Sequence, residues 1–202
     1  MRDSDLIDQL YNLLRDRDPQ VVTNCIHALN EIMLDEGGMA INSKITQHLM
    51  NRILEFNEWG QCCVLDLVSR YKVETQEEAF AIMNLLEQCL RVSNSAVVLG
   101  AAKCFLFLVE DMPDMQFQVF QRLKTPLLTL MAGASPELTF CVLHHVKMLC
   151  RRQPGVFDDE YRQFYTRYNE PTNVKYLKID LMWLVANQVH QCSAYNTCDA
   201  HL

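Results

Sequence analysis

Apolar residues recur along this chain at helical spacing, in runs separated by short polar breaks. Leu6, Ile7, Leu10, Leu13 and Leu14 share one face and predict a helix over about 5–15. A second helix opens at Pro19, where a first turn tolerates proline, with Asp18 placed to cap its free amides. Its stripe is Val22, Cys25, Ile26, Leu29, Ile32 and Met33, and Gly37-Gly38 is the expected exit. Ile45, Leu49, Ile53 and Phe56 predict a third helix over about 42–55, and Trp59-Gly60-Gln61 opens a fourth with Val64, Leu65 and Val68 inward. A fifth spans about 75–91, its Thr75 and Glu78 at capping-box spacing. A sixth starts near Ser95, carries Val98, Ala101, Ala102, Phe105 and Val109, and stops before Pro113.

The carboxy-terminal half follows the same pattern with one irregularity. Pro126 lies inside the run 114–132, so a kink or two shorter helices meeting at Lys124-Thr125 are expected. Ser135-Pro136 restarts the chain, with Leu138, Cys141, Val142, His145 and Leu149 on one face. After Pro154-Gly155, the residues Phe157, Tyr161, Phe164, Tyr165 and Tyr168 predict an aromatic helix. Pro171 opens the last helix, whose stripe is Val174, Leu177, Leu181, Leu184 and Val185. No segment alternates with period two between Asn-Gly or Asp-Gly turns, so strands are not expected.

The breaks themselves are periodic. Asp16-Arg17-Asp18-Pro19, Asn57-Glu58, Ser93-Asn94-Ser95, Ala134-Ser135-Pro136 and Asn169-Glu170-Pro171 recur about every 35–41 residues. That is the period of stacked helix pairs of the HEAT and armadillo type. The expected fold is all-α: a right-handed α-solenoid of about ten helices in five antiparallel pairs. Such a chain is a scaffold, and its binding chemistry lies along helix faces. The expected organisation is a helical-repeat trunk over 1–188 followed by a divergent, disordered tail over 189–202.

Composition narrows the class. Half of the 202 residues are apolar, and only 6 Gly and 6 Pro are present, which fits a packed chain. The net charge of −7 and the absence of a basic stripe argue against nucleic acid, whose binding depends on phosphate neutralisation. Arg151-Arg152 is the single basic doublet of this kind, too little for a polybasic lipid site. No uncharged run is long enough to span a bilayer, and Met1-Arg2-Asp3-Ser4-Asp5 does not read as a secretory signal. Nine cysteines, an odd number with no C-x-x-C pair, sit mostly inside helical runs. They read as small buried apolar residues in a reducing, cytosolic setting.

Candidate chemistry is sparse. His144 and His145 are neighbours on a helix and point about 100° apart, so they cannot grip one metal from the same face. His145 reads as a hydrogen-bonded core histidine. His190, Cys192, Cys198 and His201 are ligand types zinc uses, at a spacing that matches no standard finger. Asp158-Asp159-Glu160 suits a helix start. No nucleophile elbow, phosphate loop or H-E-x-x-H is present. The expectation is a non-enzyme with no metal and no cofactor. Trp183 and Asn187 form one isolated W-x-x-x-N pair, read as ridge packing. Gly60 in a first turn suggests close backbone approach, either repeat packing or contact with a partner. Trp59, Gly60, Gln61, Pro171 and Lys175 are the candidate partner-contact or repeat-packing residues.

Four ordered blocks carry a resemblance. These are 10–22 (Leu10 to Val22), Glu58-Trp59-Gly60-Gln61, 94–103 (Asn94 to Lys103) and 170–178 (Glu170 to Lys178). In this order they resemble the trunk of adaptor-complex (adaptin) beta subunits, over roughly 5–188. Glu36-Gly37-Gly38 with Ile41-Asn42, then His48 to Arg52, are most similar to the beta subunit of the fourth adaptor complex. The resemblance implies a non-catalytic scaffold subunit of a heterotetrameric vesicle coat, in intracellular protein transport and cargo sorting at the trans-Golgi network. It implies a second large, a medium and a small adaptor subunit as partners. It also implies a cytoplasmic, peripheral location on trans-Golgi or endosomal membranes, reached only through those partners. Family members carry further solenoid, a hinge and an appendage, so the chain reads as a fragment. The rival reading is a stand-alone HEAT or armadillo binding module unrelated to coats.

Overall fold

The computed structural model describes residues 2–133 and 135–198, with side chains over 5–133 and 135–186. Among the described residues there are nine α-helices, three 3-10 turns and no strand. The helices are α1 (Arg2–Leu13), α2 (Pro19–Ile32), α3 (Ser43–Asn51), α4 (Glu58–Arg70), α5 (Gln76–Cys89), α6 (Ser95–Leu108), α7 (Pro113–Ala132), α8 (Pro136–Arg152) and α9 (Thr172–Cys198). They fall into two compact units, Met1–Asp111 and Met112–Leu202.

The polar breaks start helices by a common device. Asp18 accepts from the amide of Gln20, Asn57 from Gly60, Asn94 from Ala96 and Val97, and Ser135 from Leu138. Each short side chain satisfies an amide that the helix cannot, which stabilises a start by about 1 kcal/mol. Thr75 caps α5 through the Glu78 amide. Glu78 reaches back to the amide of Glu74, one residue earlier than a reciprocal capping box requires.

In the first unit α1, α3 and α5 form one layer and α2, α4 and α6 the other. Each helix packs on its pair mate, and the second-layer helices pack laterally, α2 on α4 and α4 on α6. This is the α-solenoid arrangement. Val22, Ile26 and Leu29, then Val64, Leu65 and Val68, then Val97, Ala101 and Phe105 bury the apolar stripes, all at or below 3% exposure. At ~1.5–3 kcal/mol per buried aliphatic or aromatic side chain, this burial is the main stabilising contribution. In the second unit α7 packs on α8 and α8 on α9, with the 3-10 turn Asp158–Phe164 against α9.

Several expectations require correction. The run holding Pro126 is a single helix, α7, 20 residues long. Leu123 and Leu127 are buried on either side of Pro126, and that packing keeps the chain helical across the missing amide donor. The expected aromatic helix is the seven-residue 3-10 turn Asp158–Phe164. Only Phe157 and Phe164 are buried, with centroids 6.3 Å apart, while Tyr161, Tyr165 and Tyr168 face solvent. The 3-10 repeat of three places residues 157, 161 and 165 on different faces, so the α-helical stripe does not form. α2 ends at Ile32, before the glycines; a 3-10 turn intervenes, and Gly37 and Gly38 then take φ of 93° and 96°. Leu6, Leu13 and Ile32 are exposed despite their apolar spacing, because each helix is covered on only part of its circumference. α9 continues to Cys198, and the last four residues of the 189–202 tail lie outside the described residues.

One buried ion pair was not legible in the sequence. Lys178 on α9 is 4% exposed. Its Nζ donates to Glu170 Oε1 at 2.5 Å and to the Tyr165 carbonyl at 3.3 Å. Glu170 Oε2 accepts from the Arg167 amide at 2.9 Å. The pair closes the polar break onto α9, so the loop and the helix depend on each other. Burial by itself would push the Glu170 carboxyl up, but the Arg167 amide and the Lys178 ammonium outweigh it and hold it below its usual 4.5. A depressed carboxyl stabilises the fold above its unfolded value, and that stability is lost as pH falls through the lower folded value. Glu170→Gln strands Lys178 and is expected to cost about 3 kcal/mol at pH 7. Lys178→Met with Glu170→Gln is expected to recover most of that loss. Chemical denaturation of the three proteins at pH 7 and below 4 checks both. The cost of Glu170→Gln should shrink with acid.

Candidate docking surface

α4 is covered by α2, α3 and α6, and each second-layer helix keeps a strip that faces solvent. On α2, α4 and α6 these strips lie side by side and form a ridge-lined surface. Gly60 sets the spacing at its start. A Cβ at Gly60 would stand 2.7 Å from Thr23 Oγ1 on α2 and 3.0 Å from the Phe56 ring. Thr23 is itself fixed, since its hydroxyl donates to the Pro19 carbonyl at 2.8 Å. Gly60 is therefore a site of repeat packing. Gln61 is buried beside it, with Nε2 donating to the Phe56 carbonyl at 3.1 Å and Oε1 unpartnered.

Trp59 points the other way and is 68% exposed. Its Nε1 donates to His27 Nε2 at 3.1 Å, and the two rings stack at 6.0 Å. Cys63 Sγ, one turn along α4, lies 3.0 Å from the same imidazole nitrogen. One lone pair thus faces two donors. Burial raises the Cys63 thiol, with Cys62 and Asp66 adding to it, so the thiol stays protonated. Further along, Asp66 meets Lys103 of α6 at 3.2 Å and Arg70 at 3.5 Å. The Lys103 ammonium lies 6.0 Å from the Phe107 ring, which is 50% exposed. The surface therefore carries an aromatic end at Trp59, a charged middle and a second aromatic at Phe107. By the 1.5 Å rise per residue, Phe107 stands roughly 16 Å further along the helix direction than Trp59.

Pro171 and Lys175 belong to the second unit. Pro171 is exposed at the start of α9, and its carbonyl accepts from the Lys175 amide at 3.1 Å. Lys175 Nζ donates to the Tyr168 carbonyl at 2.7 Å and lies 5.8 Å from that ring. The pair orders the loop before α9. The five candidates thus separate: Gly60 packs between repeats, Gln61 is buried against the turn before α4, Pro171 and Lys175 brace a loop, and Trp59 faces solvent. Trp183 is also 68% exposed, with Tyr176 and Ile179 on the same face. The Asn187 side chain lies outside the described residues.

His145 is half-buried, not in the core, with Nδ1 2.8 Å from the Cys141 carbonyl, and Cys141 is exposed. His144 packs edge-on against Phe140, centroids 4.6 Å apart. The side chains of His190, Cys192, Cys198 and His201 lie outside the described residues. Among the described residues no group of three or more His, Cys, Asp or Glu is placed to hold a metal. No described helix is long and apolar enough to cross a membrane. Cys89, Cys104 and Cys150 are buried thiols, raised by that burial to about 11, 12 and 12.

His27, Cys63, Asp66, Lys103 and Phe107 escaped the sequence reading. One signal would have found them. The lateral contacts join residues one repeat apart: His27 with Cys63 at 36 residues, Asp66 with Lys103 at 37 and Lys147 with Asp180 at 33. Gly60→Ala tests the spacing. Alanine gains ~1 kcal/mol of helix propensity over glycine, but overpacking costs ~1–3 kcal/mol, so net destabilisation is expected. Thr23→Ala is expected to recover part of it, read as a non-additive double-mutant cycle in thermal unfolding.

Comparison with known proteins adds ancestry to this geometry. Residues 1–107 match the family model described as Cnd1, non-SMC mitotic condensation complex subunit 1. The chain is 42% identical to mouse AP-4 complex subunit beta-1 over 185 residues, covering 92% of this chain and 25% of that protein. It is 38% identical to Dictyostelium discoideum AP-4 complex subunit beta over 183 residues, 90% of this chain and 22% of that one. To human AP-1 complex subunit beta-1 it is 31% identical over 196 residues, 94% and 20%. The chain spans a quarter or less of the curated relatives it matches. The family model spans more than half of the chain, the beta adaptins align over nine-tenths of it, and identity is higher to the AP-4 than to the AP-1 subunits. The chain therefore belongs to the Cnd1 family, and over nine-tenths of its length it is similar to the adaptin beta subunits.

Proposed function

We propose that the chain is a scaffold portion of a vesicle-coat adaptor complex. It works without catalysis, holding a second large, a medium and a small adaptor subunit through helix faces. In this reading it acts in intracellular protein transport and cargo sorting, on the cytoplasmic side of trans-Golgi or endosomal membranes. It reaches those membranes only through its partners. The relatives named as AP-4 and AP-1 complex subunits support the assignment. The observation that carries the surface is the solvent-facing Trp59, held in place by His27. An exposed tryptophan whose orientation is already fixed loses little entropy on docking and is the residue type most enriched among binding hot spots.

Co-expression of the full chain with the large, medium and small subunits of the fourth adaptor complex tests this. Stoichiometric co-purification with at least one subunit is expected. Trp59→Ser is expected to weaken it by about 2 kcal/mol, roughly thirtyfold, with the fold intact by circular dichroism. A folded chain recovered alone from every combination would overturn the reading and favour a free-standing repeat module.

A further inference from the structure

The first unit carries a groove on its opposite layer, away from the Trp59 surface. It runs between α3 and α5 and encloses about 470 Å³. Its size is that of a ligand pocket, usually ~300–1,000 Å³. Three features of its lining point to one kind of occupant.

The floor is apolar and shallow. Ala81 and Leu85 of α5 line it, with Ile82 beneath. Ala81 matters because a larger side chain there would fill the space between the two helices. The walls are primary amides. Gln47 and Asn51 come from α3 and Asn84 from α5, and among the described residues none of the three has a hydrogen-bond partner. Each amide offers a donor and an acceptor, the same pair that a peptide unit presents. The charge is of one sign. Glu77 and Glu78 line the groove, and no Lys or Arg does. Glu78 is engaged, accepting from the Tyr71 hydroxyl at 2.8 Å, and closes one end. Glu77, in the first turn of α5, is exposed and has no ion-pair partner among the described residues.

We infer that this groove binds an extended, basic peptide segment: its backbone pairs with Gln47, Asn51 and Asn84, an aliphatic side chain lies over Ala81 and Leu85, and a lysine or arginine meets Glu77. An extended strand suits the site because its backbone donors and acceptors are unpaired, whereas those of a helix are already used. The inference goes beyond the scaffold reading and does not depend on it.

The full chain is titrated into fluorescein-labelled Gly-Leu-Lys-Leu-Lys-Gly, read by fluorescence polarisation. Comparison probes are the same peptide with glutamate in place of lysine, and a longer side-chain-stapled helix of the same repeat. Saturable binding of the lysine probe is expected, about tenfold tighter than the glutamate probe or the stapled helix. Asn51→Ala with Asn84→Ala is expected to weaken it about tenfold, and Glu77→Gln to remove the preference for lysine. Ala81→Trp is expected to abolish binding while circular dichroism stays unchanged. Absence of binding by the folded wild-type chain overturns the inference. So does equal binding of the acidic probe, or tighter binding of the stapled helix. A self-association that Ala81→Trp dissolves, with no peptide bound by the wild type, would assign the groove to a second copy and likewise overturn it.

Discussion

Lateral contact between helices of one layer is the constraint from which the rest of this structure follows. α4 must lie close enough to α2 that the Gly60 position admits no Cβ, and Leu65 of α4 meets α6 at Gly100 and Cys104. Those approaches align equivalent positions of successive repeats. They bury the apolar stripes and leave an exposed strip on each helix. Everything that can meet a partner on this layer is confined to those strips. That is why His27, Trp59, Cys63, Asp66, Lys103 and Phe107 share one surface although they span 81 positions of sequence.

The same constraint explains the divided character of Trp59-Gly60-Gln61. Successive residues of a helix point about 100° apart, so three neighbours cannot share an environment. Gly60 and Gln61 turn inward, and Trp59 turns to the strip. A motif conspicuous in the sequence is thus part packing and part surface. On the opposite layer α3 and α5 meet less closely, and the difference leaves the groove at Ala81. A fold of this kind offers partners two surfaces of different chemistry, one aromatic with paired charges and one amide-walled and acidic.

How much of this was readable before the structure depended on whether the cause was local. The breaks at Asp18, Asn57, Asn94 and Ser135 were visible because capping is a contact between residues two or three apart. The stripes of α2 and α4 were visible because burial along one face imposes a helical period. The failures lie where distant packing overrode a local rule. Pro126 does not divide α7, since Leu123 and Leu127 are buried on either side of it. The tyrosines at 161, 165 and 168 carry helical spacing, but the chain there is a 3-10 turn with only its two phenylalanines anchored. Leu6, Leu13 and Ile32 extend apolar stripes past the width that any neighbour covers. The candidate surface was legible at Trp59 alone; its other members are ordinary residues until the repeat period brings them together.

Lys178 shows what a period cannot reveal. A lysine on the buried face of α9 contradicts binary patterning, and nothing within one helical turn explains it. The explanation is Glu170, eight residues earlier, in the polar break that precedes the helix. Every other break described here starts its helix with a short side chain that satisfies amides. The break before α9 does so with proline and a glutamate that turns inward to hold a cation. The pair is costly to desolvate and is repaid only if loop and helix form together. It therefore ties the register of α9 to the preceding turn, because a shift would take Lys178 away from both Glu170 and the Tyr165 carbonyl.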